Sequence, residues 1–114
     1  MTNITYKKAI KIEKIGTRRV RILEDTEIFG QLIPAGYITD GSSVPRFFWG
    51  ILSPFSEGFR AAIVHDYRYT DCYKTWTKKE ADKEFYENLK KDGVNIIRRL
   101  LAYLAVRFFG RGSW

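Results

Sequence analysis

Residues 61–69, AAIVHDYRY, and residues 77–89, TKKEADKEFYENL, are the part of the sequence that decides the fold. Apolar residues recur in both stretches at steps of three and four, which is the spacing of the buried side of an α-helix. They are Ala62, Ile63 and Tyr69 in the first stretch and Ala81, Phe85 and Leu89 in the second. The link between them, residues 70–76, is short and polar. The sequence therefore predicts two helices that pack antiparallel as a helical hairpin.

The predicted hairpin places the only histidine of the chain, His65, opposite the carboxylate of Asp82. The centre of the link falls near residues 73–74, and the two residues lie about equally far from it on either side. Residues equidistant from the turn of an antiparallel hairpin face each other. We therefore expect an imidazole and a carboxylate to meet in the middle of two packed helices.

An imidazole beside a carboxylate can act as a general base. The carboxylate accepts a hydrogen bond from one ring nitrogen, which leaves the other nitrogen to take a proton from water. Tyr69 lies one helical turn from His65 on the same side, whereas Asp66 points about 100° away and can serve as a metal ligand or hydrogen-bond acceptor. The alternative interpretation is that His65, Tyr69 and Asp82 form a polar network that only fixes the register of the hairpin.

A second polar stretch, DGSSVP at residues 40–45, contains further candidates for a site. Ser42 or Ser43 could be a nucleophile for His65, giving a Ser–His–Asp arrangement. Asp40 together with Asp66 could bind a divalent cation through carboxylate oxygens. The competing interpretation, which we favour for the serines, is an Asx-turn followed by a serine that caps a helix.

The rest of the pattern predicts an α+β fold with a small antiparallel N-terminal sheet and three or four helices. Residues 4–39 alternate apolar and polar side chains, with a short apolar run at 28–33 and a turn at 34–36, which indicates a meander of three or four strands. An apolar plug at 47–52 is expected to be a short helix. Helices are then predicted from 57 to about 69 with Ser56 as N-cap, from Thr77 to Gly93, and from 94 to about 109.

The last predicted helix has a strongly apolar side, formed by Ile97, Leu100, Leu101, Leu104 and Phe108. We expect it to pack against the sheet, which otherwise lacks a cover. The alternative is that it lies on a membrane surface with its arginines around the apolar side. Trp76, in the link of the hairpin, is less easily buried and is a candidate for a partner surface.

Composition predicts one soluble domain, residues 1–114. The chain is 45% hydrophobic and 16% aromatic, which is enough to bury a core. No apolar run reaches the roughly 18 residues of a transmembrane span, and no signal-peptide pattern begins the sequence. A single cysteine, Cys72, excludes an internal disulfide and fits a reducing compartment.

The net charge of +7 favours anionic partners such as nucleic acid, anionic lipid or cell-wall polymer. The basic residues are spread along the whole chain, however, rather than gathered in one run. We therefore attribute the excess to solubility, and expect a protein partner rather than nucleic acid.

The order of motifs resembles a family of small phage and prophage proteins catalogued as a domain of unknown function. The motifs are DGSSVP followed by a Trp, then VHDYxY, TxxEADxxF and an apolar helix ending FFG, and the match covers residues 34–110. The resemblance implies a phage origin, and with it a location in the host cytoplasm or the virion. It implies no activity, because that family has none assigned.

A second resemblance, to the phospholipases A2, is confined to two helices. Their HDxxY motif matches His65, Asp66 and Tyr69, and the Asp of their antiparallel partner helix matches Asp82. The resemblance implies that His65 activates water, Asp82 orients its ring, Asp66 ligates calcium and Tyr69 bonds to the carboxylate of Asp82. This sequence lacks the disulfides of that family, and residues 40–43 would have to replace its glycine-rich calcium loop.

Two functional hypotheses follow. The first is a phage-encoded accessory protein with a hydrolase-like site made of Asp40, His65, Asp66 and Asp82, acting on an ester or amide bond of the cell envelope. The second is a non-catalytic module, either a virion or tail-associated component or an inhibitor that binds a host protein. In the second hypothesis the polar network serves only folding.

Overall fold

The computed structural model describes residues 10–16, 19–39 and 58–110. In this part of the chain, five strands precede three helices: β1 (Ile12–Lys14), β2 (Val20–Ile22), β3 (Thr26–Ile28), β4 (Gln31–Ile33), β5 (Ile38–Thr39), α1 (Phe59–Asp71), α2 (Lys78–Lys91) and α3 (Ile96–Phe109). The predicted α+β class is confirmed. The strand predicted near residues 4–6 and the short helix predicted at 47–52 lie outside the described residues.

The strands form two small antiparallel sheets, not the single meander that the sequence predicted. β2 lies between β1 and β5, while β3 and β4 form a separate hairpin. Phe29 and Gly30 make the turn of that hairpin with φ values of 50° and 78°, as a two-residue turn requires. This turn divides the apolar run of residues 28–33. The predicted turn after Pro34 is confirmed, because the Tyr37 amide donates to the Pro34 carbonyl at 3.1 Å.

The bounds of α2 follow from signals in the sequence. The Thr77 hydroxyl accepts a hydrogen bond from the Glu80 amide at 3.1 Å, and the Glu80 carboxylate accepts from the Thr77 amide at 3.0 Å. This confirms the predicted capping box, which satisfies two backbone donors at the helix start. Gly93 follows the helix with φ of 84°, a left-handed conformation that favours glycine and ends helices.

The starts of α1 and α3 differ from the prediction. α1 begins after Gly58, which makes no side-chain cap, so the predicted N-cap at Ser56 is wrong. α3 begins after Asn95, whose side chain accepts from the Arg98 amide at 2.9 Å. Asparagine is among the preferred N-cap residues, and it sets the helix start two residues later than expected.

Two apolar clusters lie on opposite sides of α1. One joins the strands to α1 and contains Ile22, Ile28, Ile33, Ile63 and Val64. The other joins all three helices and contains Ala61, Phe85, Leu89, Val94, Ala102 and Val106. α1 is therefore the middle layer, with the strands on one side and α2 on the other. The pairs His65–Asp82 and Arg60–Asp92 run in opposite sequence order, which confirms the antiparallel hairpin.

The expectation that the last helix covers the sheet is wrong. α3 packs on α2 instead, through the small side chains Ala102, Ala105 and Val106. The large apolar residues predicted to be buried lie on the other side of α3 and are exposed. Within residues 10–16, 19–39 and 58–110, no helix is long and apolar enough to cross a membrane.

The capping box makes a direct prediction about stability. Thr77→Ala removes the hydroxyl that accepts from the Glu80 amide, and should lower the free energy of unfolding by about 1 kcal/mol. Thr77→Ser keeps the hydroxyl and should retain most of that stability. Urea denaturation of the two variants measures the difference; equal loss in both would show that the cap contributes nothing.

Candidate functional site

The structure brings His65 of α1 and Asp82 of α2 into direct contact. Nε2 of the imidazole lies 2.7 Å from Oδ1 of the carboxylate, and both side chains are 0% exposed. The expectation that these residues meet across the hairpin is confirmed. The hydrogen bond is charge-assisted and fully removed from solvent, which makes it strong and costly to break.

Tyr69 joins the pair from one turn further along α1. Its hydroxyl donates to the same Oδ1 of Asp82, as the resemblance to the phospholipases A2 implied. Burial raises the pKa of Tyr69, and the nearby Asp82 carboxylate raises it further, so the phenol remains a donor. The imidazole ring packs between the rings of Tyr69 and Phe85, at centroid distances of 4.2 and 4.5 Å. These contacts restrict the orientation of the ring.

Two cations that the sequence analysis did not identify bind the other carboxylate oxygen. Lys78 Nζ and Arg107 Nη1 lie 2.9 and 3.0 Å from Oδ2 of Asp82. The sequence does contain a signal for the Lys78 contact, because Lys78 and Asp82 are four residues apart on one helix and side chains at that spacing are neighbours. The Arg107 contact depends on how α3 crosses α2, which no local pattern reveals.

Lys78 also fastens the C-terminal end of α3. Its ammonium group donates to the carbonyl oxygens of Val106 and Arg107 at 2.7 and 3.1 Å. Carbonyls in the last turn of a helix lack intrahelical partners, and a cation there also interacts favourably with the helix dipole. One lysine thus connects the Asp82 carboxylate to the end of the third helix.

The surroundings keep Asp82 ionised. Burial alone raises the pKa of a carboxyl group, but hydrogen bonds from His65, Tyr69 and Lys78 outweigh it and hold the pKa of Asp82 at about 2. At neutral pH the carboxylate is therefore a fixed negative charge that can stabilise a protonated imidazole.

Asp66 belongs to a separate polar cluster. Its Oδ2 accepts hydrogen bonds from the Thr39 hydroxyl at 2.7 Å and from the Tyr37 hydroxyl at 3.1 Å. Burial raises the pKa of Tyr37, as does the charge of Asp66. Asp66 thus connects α1 to β5, whereas His65 faces α2. The two adjacent residues contact different neighbours of α1, in keeping with the 100° between successive helical positions.

The other sequence candidates lie outside the described residues: Asp40, Ser42 and Ser43. Of the pair proposed to bind a divalent cation, the structure describes Asp66. Among residues 10–16, 19–39 and 58–110, no group of three or more His, Cys, Asp or Glu side chains is arranged to hold a metal ion. The cation and the serine nucleophile remain predictions from sequence.

Trp76 was predicted to be hard to bury and a candidate for a partner surface, and the partner surface stays a prediction. The Arg68 guanidinium lies 4.1 Å from the centre of its ring, and the indole is half-buried. Arg68 also donates to Glu84 through Nε and Nη2 at 2.9 and 3.1 Å. The bidentate ion pair and the stacked ring hold the hairpin link against the two helices.

The fold and the site together define a small α+β protein in which three helices meet at a buried histidine–aspartate–tyrosine network. The chain belongs to the family described as "Protein of unknown function (DUF1353)", whose model matches residues 20–106. The predicted membership of a family without an assigned function is thereby confirmed. The match includes His65, Tyr69, Asp82 and the entire helical hairpin.

Two relatives come from Sinorhizobium fredii (strain NBRC 101917 / NGR234). "Uncharacterized protein y4jT" is 31% identical over 80 residues, covering 68% of this chain and 23% of the relative. "Uncharacterized protein y4iH" is 34% identical over 74 residues, covering 63% of this chain and 30% of the relative. The matched part is thus under a third of each relative. No solved structure matches the chain significantly.

Removing the charge of Asp82 should destabilise the protein strongly. Asp82→Asn leaves Lys78 and Arg107 beside a neutral amide, and loss of one partner from a buried ionic cluster costs about 3 to 5 kcal/mol. Glu87→Gln makes the same chemical change at an exposed position of α2 and should cost little. Chemical denaturation of the three proteins at neutral pH measures both values.

The effect of Asp82→Asn should depend on pH. The folded-state pKa of Asp82 is about 2, below its usual value of 3.8, so its contribution is complete above about pH 4 and is lost as the pH falls through about 2. The stability difference between wild type and Asp82→Asn should therefore shrink by about 2 kcal/mol between pH 5 and pH 2. A difference that does not change over this range would contradict the assignment.

Proposed function

We propose that this protein is a hydrolase-like enzyme in which His65 is the general base and Asp82 orients and stabilises its imidazole. The observation that carries the proposal is the 2.7 Å hydrogen bond between His65 Nε2 and Asp82 Oδ1. The substrate class to test first is an ester or amide bond of the cell envelope.

The direction of the hydrogen bond supports the assignment of a base. The ionised Asp82 carboxylate can only accept, so Nε2 carries a proton and the basic lone pair of the neutral ring is on Nδ1. When the ring takes a second proton, the fixed negative charge of Asp82 stabilises the imidazolium. Tyr69 bonds to the same oxygen and limits its movement, as a supporting group in a catalytic pair does.

The composition of the cluster also supports a functional role. Asp82 binds Lys78, Arg107 and His65 in the core of three packed helices. A well-packed apolar core is often as stable as such a buried ionic cluster, or more so. The pKa values of Asp82 and Tyr69 are shifted in this cluster, and ionisable groups with shifted pKa values are concentrated at functional sites. We therefore favour a catalytic role for this cluster over a role in stability alone.

The proposed reaction is water addition to a carbonyl group. His65 removes a proton from water, the oxygen adds to the carbonyl carbon, and the same proton passes to the leaving alcohol or amine. In the alternative form, Ser42 or Ser43 replaces water as the first nucleophile. Asp66, with Asp40, would hold a divalent cation or a polar group of the substrate. In the described residues, the Oδ2 of Asp66 already accepts from Thr39 and Tyr37.

The biological setting is part of the proposal. The motif order resembles small phage and prophage proteins, which supports a phage-encoded accessory protein that acts in the host cytoplasm or the virion. The similarity to two uncharacterized rhizobial proteins fits integrated phage genes as well as bacterial ones.

A second function is favoured by a specific observation, namely the complete burial of the His65 and Asp82 side chains. Four donors already surround the Asp82 carboxylate, which is what a network that fixes helix register requires. The protein would then be a non-catalytic module of a virion or tail, or an inhibitor of a host protein. Its partner would be a phage or host protein.

Accessibility of the single histidine decides between the two functions. Diethyl pyrocarbonate modifies neutral imidazoles that solvent can reach, and His65 is the only histidine of the chain. For an enzyme, we expect the native protein to be modified at His65, and activity on chromogenic esters, phospholipid or peptidoglycan amides to be lost in parallel. His65→Gln should lower the rate by 100-fold or more.

A stability control accompanies this experiment. Leu89→Val trims a buried core residue of α2 without touching an ionisable group, and should cost about 1 kcal/mol while retaining activity. The hydrolase proposal is wrong if two results are found together. The first is that His65 reacts with diethyl pyrocarbonate only in denaturant, and the second is that the wild-type protein hydrolyses each substrate no faster than the His65→Gln variant does. The non-catalytic function is then the one that stands.

A further inference from the structure

The outer side of α3 is a continuous apolar surface, which we call the apolar face of α3. Its six members are between 42% and 76% exposed: Ile96, Ile97, Leu100, Leu101, Leu104 and Phe108. At 100° per residue they cover an arc of roughly 140° around the helix. Arg107 also falls within this arc, and its guanidinium is bonded to Asp82. Soluble monomers rarely leave large apolar side chains in one contiguous patch of this kind.

The opposite side of the same helix is also apolar. Ala102, Ala105 and Val106 are buried against α2. A helix that is apolar on both sides is normally covered on both. Among residues 10–16, 19–39 and 58–110, cover is found on the α2 side only, and the apolar face of α3 is exposed. The amphipathic pattern read from the sequence was therefore assigned to the wrong side: the large residues face outward and the small ones face inward.

The charges of α3 restrict what can cover this face. The helix carries Arg98, Arg99 and Arg107 and contains no acidic residue, and the whole chain has a net charge of +7. Arg98 is exposed. Arg107 is bonded to Asp82. A second copy would bring the same net charge of +7 and no acidic residue on its own α3. Charge complementarity therefore favours an anionic surface over a second copy.

The length and attachment of α3 fit a helix that lies on a bilayer. Fourteen residues extend about 21 Å, less than the roughly 30 Å needed to span the hydrocarbon core. Lys78 already holds the last turn of α3 to α2 through two carbonyl oxygens. Because the helix is formed and fastened in advance, binding would not require the ordering of a flexible segment.

We propose that the apolar face of α3 docks on an anionic lipid bilayer. Its Ile, Leu and Phe side chains enter the boundary between headgroups and acyl chains. Arg98 lies about 60° beyond the edge of the face at 100° per residue, and its long side chain extends to the lipid phosphates. Residues of the His65–Asp82 pair take no part in this contact. The inference goes beyond the proposed function and stands or falls separately from it.

Co-sedimentation of the full chain with lipid vesicles tests the proposal. We expect binding to vesicles that contain phosphatidylglycerol, weak binding to pure phosphatidylcholine, and weakening by salt. The double variant Leu100→Gln/Leu104→Gln should lower the affinity at least tenfold. The matched control is Leu32→Gln, which makes the same change at a leucine of β4 that is 52% exposed and should bind as wild type does.

A second pair of variants tests the electrostatic contribution to vesicle binding. Arg98→Gln removes the exposed arginine of α3 and should weaken binding to phosphatidylglycerol vesicles about fivefold. Lys14→Gln removes the same charge from an exposed position of β1 and should have little effect. Equal effects of the two variants would mean that α3 does not face the membrane.

Three results would overturn the proposal. The first is no binding to phosphatidylglycerol vesicles, and the second is binding that the Leu100→Gln/Leu104→Gln change leaves intact. The third is a wild-type protein that does not bind vesicles but forms a concentration-dependent dimer in sedimentation velocity, where the same double variant abolishes the dimer. A second copy of the chain would then cover the apolar face of α3. Folded His65→Gln should bind vesicles normally, so failure of the hydrolase proposal leaves this test unaffected.

Discussion

The carboxylate of Asp82 is the interaction on which the rest of the structure depends. It accepts hydrogen bonds from His65 and Tyr69 of α1, from Lys78 of its own helix and from Arg107 of α3. All three helices therefore contribute a donor to one buried anion. Apolar contacts between helices tolerate small shifts, whereas these bonds require one particular rotation and stagger of each helix. The carboxylate fixes the arrangement that the apolar clusters only favour.

The same geometry explains why neighbouring polar residues have separate tasks. His65 faces the helical layer, while Asp66 is bonded to Thr39 and Tyr37 at the end of the strands. α1 is thereby tied on one side to the strands and on the other to α2. The position of the His65 ring therefore depends on the same helix that Asp66 bonds to the strands.

Local sequence signals predicted the helical hairpin, the capping box at Thr77 and the meeting of His65 with Asp82, because each depends on spacing within about twenty residues. The pairing of β5 with β2 and the docking of α3 depend on how distant elements approach each other. For α3, both sides of the helix are apolar, so periodicity could not tell which side α2 would cover. Asp40, Ser42 and Ser43 lie outside the described residues and remain predictions.

Phe29 connects the apolar cluster between the strands and α1 with the apolar cluster among the three helices. Its backbone is left-handed, with φ of 50°, a conformation that costs a residue with a Cβ about 1 to 2 kcal/mol. Its ring packs against both apolar clusters and lies under Arg60, 4.9 Å from the guanidinium. A glycine there would relax the turn but remove the ring that contacts both clusters, leaving Ile28 and Ile33 to hold the β3–β4 hairpin against α1. One strained residue at the tip of a hairpin therefore joins the two clusters, and a substitution of its ring would disturb the packing of both at once.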